Sequence, residues 1–290
     1  MKTAIIILGT IISFILLIAP ACSKEIKSEV FLDPSGNIKQ GETVFVELKS
    51  DSKLKNPFFI YNNNKIKLYK KEKGLYTGIM GINALDNPGE YKLSFYNKNK
   101  PLNLEKTLNV VSSNFPIDNI IITGEKSQLT IDRIEQQKIQ YCLTKTCKKA
   151  LWQNLPLNTP AEGFITSLFG GIRYKNGQPT GNYHKGLDIG APEGQDVNAA
   201  ADGVVLLAEQ FTYFGNTIII DHGQGIASVY MHLSEIDVKP KETVKLGQTI
   251  AKVGSTGYAT GPHLHFSIYI NGTPVNPLGT WIKPMPLNIN

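Results

Sequence analysis

Between residues 29 and 112, short apolar runs alternate with turn residues. Val44-Phe45-Val46-Glu47-Leu48, Phe58-Phe59-Ile60-Tyr61, Ile66-Lys67-Leu68-Tyr69 and Tyr91-Lys92-Leu93-Ser94-Phe95 read as strands. Asp33-Pro34-Ser35-Gly36, Asn62-Asn63-Asn64, Asp86-Asn87-Pro88-Gly89 and Asn97-Lys98-Asn99 separate them. Strands at ~8–12-residue spacing predict a β-sandwich-like domain over 22–113, without a fixed-period repeat. The pattern changes over 114–160. Gln128 to Trp152 is rich in Gln, Lys, Leu and Ile with weak helical periodicity, which predicts a mostly helical connector. Pro156 and Pro160 punctuate its end.

Residues 161–285 return to β. Val204-Val205-Leu206-Leu207-Ala208, Thr217-Ile218-Ile219-Ile220, Ser228-Val229-Tyr230-Met231 and His265-Phe266-Ser267-Ile268-Tyr269-Ile270 are β-branched or aromatic runs between Gly turns. Asp221-His222-Gly223 and Asn271-Gly272 read as hairpin-like turns. The predicted fold class is mainly β: an N-terminal β-sandwich-like domain, a short helical connector, an antiparallel β-sheet domain and a tail over 286–290.

The first residues, 1–21, read as an export segment. Lys2 precedes an apolar run, Ala4 to Ile18, followed by Ala19-Pro20-Ala21-Cys22. Small residues before Cys22 resemble a bacterial lipoprotein signal and predict lipid on Cys22. Ala19-x-Ala21 also suits ordinary cleavage. Either way the expected location is the bacterial envelope, in the periplasm or anchored to a membrane. With Cys22 lipidated, Cys142 and Cys147 remain as a pair in an oxidising compartment, and a loop between them predicts a local disulfide.

Composition narrows the function. With 41% hydrophobic and 19% charged residues over 290 positions, wholesale disorder is excluded. The net charge is 30 − 24 = +6. It is uneven: residues 22–113 hold 15 basic and 10 acidic groups, while residues 161–290 hold 8 and 10. Arg133 and Arg173 are the two arginines, so no nucleic-acid partner is expected. The lysines of the first domain suit solubility, or contact with an anionic envelope surface.

All five histidines lie between 184 and 265. His184-Lys185-Gly186-Leu187-Asp188 pairs an imidazole with a carboxylate, and Gly186 lets the backbone fold tightly between them. His263-Leu264-His265 puts two imidazoles on one side of a strand. Two His and one Asp make a three-ligand site for Zn²⁺ with the fourth position left for water. Nitrogen and oxygen donors in that ratio suit zinc better than calcium or magnesium. His232 lies between these motifs. His222 reads as a turn or supporting residue and is excluded from the ligands.

These motifs together resemble the lysostaphin/LytM-type zinc metallopeptidases, which cut peptide cross-bridges in peptidoglycan. The matching residues are H-K-G-L-D at 184–188, A-P-E-G-Q-D-V at 191–197, I-D-H-G at 220–223 and Y-M-H-L-S at 230–234. They continue with G-S-T-G-Y-A-T-G-P-H-L-H-F at 254–266 and V-N-P-L at 275–278. The β-sandwich and connector resemble, more loosely, the N-terminal regions of secreted Gram-negative members. The resemblance implies one Zn²⁺ per chain on His184, Asp188 and His265. It leaves His263 and His232 as the catalytic imidazoles. A hydrolase needs a proton acceptor and this chain has no H-E-x-x-H glutamate, so His263 is expected as the base. His232 is expected to orient water or stabilise the oxyanion. Arg173 matches a basic position of the family, and Tyr230 and Tyr258 are candidate groove residues.

The expected activity is a zinc-dependent endopeptidase acting on peptidoglycan stem peptides. Loops around 173–183, 209–216, 234–240 and 255–262 would bound the groove, with the N-terminal domain masking it. Two alternatives are a catalytically silent envelope protein that activates another wall hydrolase, and a binding module acting through its basic N-terminal domain.

Overall fold

The computed structural model describes residues 26–288, so the export segment and Cys22 lie outside the described residues. Residues Ser28 to Val111 form two facing sheets. One orders the strands Ser28–Asp33, Thr43–Ser50, Leu75–Gly81 and Tyr69–Glu72. The other orders Asn37–Lys39, Lys100–Val111, Gly89–Asn97, Pro57–Tyr61 and Asn64–Lys67. Alternation sets the interior: Val44, Val46 and Leu48 point inward and are wholly buried, meeting Phe59, Phe95 and Leu108 from the second sheet. The run Ile66 to Tyr69 is not one strand. The chain changes sheets at Leu68, which is buried and donates its N–H to the Pro57 carbonyl.

The connector is less helical than its composition suggests. A 3₁₀ turn spans Glu125–Gln128, and one α-helix spans Arg133–Leu143. Asp132 caps that helix by accepting from the Ile134 and Glu135 N–H groups. Only Ile139 and Leu143 of the helix are buried, a spacing of one turn, so a single narrow stripe holds it against the second domain. Before the helix, strand Ile117–Ile120 pairs in parallel with Ile172–Lys175. After it, the Asp221 carboxylate accepts from the Thr146 hydroxyl and the Cys147 N–H. Both flanks of the connector are thus built into the second domain. The expected disulfide is absent: Cys142 and Cys147 are free thiols. Cys142 packs with the helix against the sheet, whereas Cys147 is held by its backbone at Asp221.

The second domain centres on an eight-stranded sheet. Its main path runs Phe164–Ser167, Leu187–Gly190, His263–Ile270, Ile226–Leu233, Gly215–Gly223, Gly203–Phe211 and Thr243–Val244, with Thr273–Val275 added to His263–Ile270. Its neighbouring strands pair antiparallel. Strand Ile226–Leu233 is buried at every position because both faces are covered. Asn271-Gly272 forms the expected turn, with φ of 51° and 83°. Asp221-His222-Gly223 does not. That strand continues through Gly223, and Gln224 and Gly225 turn instead, with φ of 56° and 91°.

The sandwich docks on this domain through a shared interior. Trp281 is fully buried, donates from Nε1 to Thr43 Oγ1 at 2.8 Å, and lies beside the Phe45 ring. Asn271 donates to the Ile79 carbonyl, and a Cβ on Gly81 would strike Val275. Among the described residues no helix is long and apolar enough to cross a membrane.

Candidate metal centre

Leu187–Gly190 and His263–Ile270 are adjacent antiparallel strands, and their register sets Asp188 opposite His265. The same strand faces Ile226–Leu233 on its other side, with Met231 opposite His265, which brings His232 to the site from the next residue. His184 arrives from the loop before Leu187. Its backbone is clasped by Gly170 and Gly171, which donate to and accept from it at 2.8 Å. Gly186 is needed for space: a Cβ there would meet the Phe266 carbonyl and Ser267 Oγ.

Three donor atoms converge. His184 Nε2 lies 2.9 Å from Asp188 Oδ1 and 2.9 Å from His265 Nδ1, and His265 Nδ1 lies 2.8 Å from Asp188 Oδ1. His184, Asp188 and His265 are the group among the described residues with metal-binding geometry.

The outer ring nitrogens explain why these inner atoms are bare. His184 Nδ1 lies 2.9 Å from the Leu168 carbonyl, an acceptor, so Nδ1 carries the proton and Nε2 does not. His265 Nε2 contacts Ser267 Oγ at 2.8 Å, which leaves Nδ1 for the centre. The bare His184 Nε2 and the Asp188 carboxylate then face each other as two acceptors at hydrogen-bond distance, a repulsive pair unless a cation sits between them. Two imidazole nitrogens and a carboxylate oxygen therefore fit a divalent ion of the zinc type.

His263 and His232 use the same device. His263 Nδ1 donates to the Gly261 carbonyl at 2.8 Å, and His232 Nδ1 to the Thr256 carbonyl at 2.9 Å. Their Nε2 atoms are bare. His263 Nε2 lies 3.9 Å from Asp188 Oδ1, and the His232 and His263 ring centroids are 5.0 Å apart. His232 holds a left-handed backbone with φ of 64°, uncommon for a residue with a side chain.

Burial sets the charges. It pushes the His232 imidazole down to about 3, and the neighbouring His263 and His265 rings add to the shift by disfavouring a second proton so close. Burial likewise pushes His265 down to about 4. Burial opposes ionisation of Asp188, but His184 and His265 outweigh it and hold the carboxyl well below its usual range.

Other residues find their places around this centre. Arg173 donates to Asp118 Oδ2 at 2.8 Å and to Asp188 Oδ2 at 3.4 Å. Ser167 Oγ donates to Asp118 Oδ2 at 2.6 Å and lies 3.0 Å from His184 Nδ1. Neither Asp118 nor Ser167 belongs to a recognisable motif, so sequence reasoning missed both. Ser267 was missed as well, although strand alternation places it on the same face as His265 two residues before it. His222 is not a ligand: its Nδ1 donates to the Asp202 carbonyl and its Nε2 contacts Ser228 Oγ at 2.7 Å, deep in the sheet.

A groove of about 380 Å³ opens over the five site residues. Tyr258, Tyr213 and the 173–183 hairpin line it, but no residue of 234–240 does. Tyr230 is fully buried and lies under the sheet rather than in the groove. None of the lining comes from the sandwich. The connector supplies a wall instead, with Ile120, Leu129, Ile131 and Ile139. Lys126 ties the connector to the segment Ser255–Ala259, donating to the carbonyls of Ser255 and Ala259 at 2.7 and 3.1 Å. Lys175, which lines the groove, donates to the Ser127 carbonyl at 2.6 Å.

A sheet floor, three convergent donors and two further bare imidazoles define a metallohydrolase-type centre. Residues 182–277 match peptidase family M23, and the C-terminal region of the chain is a peptidase family M23 domain. Over 99 residues, 34% of the chain, it is 43% identical to the DD-carboxypeptidase/endopeptidase Mpg of Neisseria meningitidis serogroup B. Over 95 residues it is 42% identical to the peptidoglycan DD-endopeptidase ShyA of Vibrio cholerae. The aligned segment spans 23% and 22% of those two relatives. A solved structure assigned to peptidase M23 from Pseudomonas aeruginosa superposes with a TM-score of 0.61 at 28% identity, covering 82% of this chain and 92% of that one.

Proposed function

We propose that the protein is an exported zinc-dependent endopeptidase that hydrolyses peptide cross-links of bacterial peptidoglycan. The convergence of His184 Nε2, Asp188 Oδ1 and His265 Nδ1 within hydrogen-bond distance carries this reading. The domain's likeness to relatives named as peptidoglycan endopeptidases supports the substrate class. A single zinc held by these atoms supplies Lewis acidity and lowers the pKa of water from ~15.7 towards ~7. His263, with its bare Nε2 turned to the centre, takes the proton from the attacking water and returns it to the leaving amine. His232 presents a bare Nε2 as well, so it accepts a hydrogen bond and orients that water. A neutral His232 with its proton on Nδ1 is not built to donate to an oxyanion.

The groove wall from the connector narrows access to the centre, so the connector, rather than the sandwich, acts as the mask. Export to the envelope follows from the substrate. Lipid on Cys22 would hold the enzyme at a membrane. The converging donors speak against the silent-regulator reading, which needs no intact metal centre.

Asp188→Ala and His265→Ala test this directly. Each is expected to abolish zinc retention and the cleavage of defined muropeptides, followed by mass spectrometry with and without a chelator. Undiminished cleavage by either variant refutes the ligand set.

A further inference from the structure

The connector strand Ile117–Ile120 lies outside the family match at 182–277, yet it delivers a carboxylate to the back of the metal centre. Its parallel register pairs Asp118 with Arg173. Asp118 Oδ2 accepts from two donors, Arg173 Nη1 at 2.8 Å and Ser167 Oγ at 2.6 Å. Each donor continues to a different ligand. Arg173 Nη2 reaches Asp188 Oδ2 at 3.4 Å, and Ser167 Oγ reaches His184 Nδ1 at 3.0 Å. Arg173 has a side chain only 14% exposed, so its charge needs a close partner and its planar fork is held in one orientation. Gly171 makes the approach feasible. A Cβ there would lie 3.0 Å from Asp118 Cβ and 3.2 Å from its Oδ2, tighter than ordinary side-chain contact.

We infer that Asp118 is a positioning residue that fixes two of the three zinc ligands at once, through Arg173 to Asp188 and through Ser167 to His184. This rests on the zinc reading above. The Ser167 arm acts on the tautomer. With its O–H committed to Asp118, Ser167 can only accept from His184 Nδ1–H, which keeps Nε2 bare. Without Asp118 the hydroxyl is free to donate to Nδ1. That favours the tautomer with a proton on Nε2, where the metal belongs, and leaves the Leu168 carbonyl as the one group opposing it. The Arg173 arm acts on geometry. Asp118 holds the guanidinium at the Asp188 oxygen that faces away from the other donors, so Oδ1 stays turned inward.

The test is zinc affinity of the full-length mature chain, read by competition with a chromogenic chelator, alongside the thermal midpoint of each protein. Asp118→Ala removes the one oxygen that accepts from both Ser167 and Arg173, and with it the charge facing Arg173. It is expected to weaken zinc binding ~10–100-fold, the usual cost of losing a group behind a metal ligand. Ser167→Ala cuts one arm and should cost less. Because both act on one path, the double variant should lose less than the sum of the two. Zinc held by Asp118→Ala within about twofold of the parent overturns the inference, as does full additivity of the two losses. Should Asp118→Ala not fold, Ser167→Ala decides alone, and unchanged affinity there overturns the Ser167 relay. A parent that holds zinc but cuts no muropeptide sinks the peptidase reading and leaves this measurement standing. A parent that holds no zinc sinks both.

Discussion

In the sandwich, strand Thr43–Ser50 hides its inward residues while Glu47 and Lys49 look out. In the M23 domain, strand Ile226–Leu233 is buried along its whole length. The first arrangement needs only apolar alternation, and its buried polar side chains are Thr43 and Ser50. The second also buries Ser228, His222 and His232, each with a hydrogen-bond partner. One region spends its interior on cohesion. The other uses covered polar groups to aim side chains, because a buried polar atom without a partner costs ~1–3 kcal/mol and so tolerates few orientations.

That contrast can be broken most sharply at His263. His263→Ala should lower kcat by ~10²–10⁴-fold while zinc is retained, since the role proposed for it is proton transfer and not metal binding. Steady-state kinetics with metal analysis checks both halves. In the sandwich, Phe59→Ala removes a wholly buried ring and should cost ~3–5 kcal/mol in denaturant unfolding. Zinc affinity should be unmoved. A parallel loss of zinc would mean that the two regions are not separable in this way. Under the M23 sheet, Tyr230→Phe removes the acceptor of the Ala200 N–H, a 2.9 Å bond in a fully buried place. An unfolding cost of ~1–3 kcal/mol is expected. The mildest change is Lys126→Ala in the connector. Losing its bonds to the Ser255 and Ala259 carbonyls should loosen the connector wall and raise muropeptide cleavage several-fold, with no effect on chelator resistance.

The residues that can be read from sequence are those whose roles follow from local spacing. His263 and His265 share a strand face by alternation, and His184 and Asp188 come as one short motif. The strands of both halves follow from β-branched and aromatic runs. The turn at Gln224-Gly225 was misplaced by two residues, because Asp221 looked like a turn former. Its carboxylate instead accepts from Thr146 and Cys147, a contact across the fold. The connector misled for a similar reason. Its Lys- and Gln-rich stretch, Gln128 to Trp152, does hold the helix Arg133–Leu143, but Ile117–Ile120 ahead of it is a strand because it pairs with Ile172–Lys175. Asp118 was invisible because its meaning depends on Arg173 and Ser167, far away in the chain.

The parallel pairing of Ile117–Ile120 with Ile172–Lys175 also decides where the chain can be cut. A protein engineer who trims the chain to its recognisable family segment would discard Asp118, Ser167 and Arg173 together. A portable module made from this sequence has to start before Ile117, so that the strand travels with His184 and Asp188, the two side chains it backs.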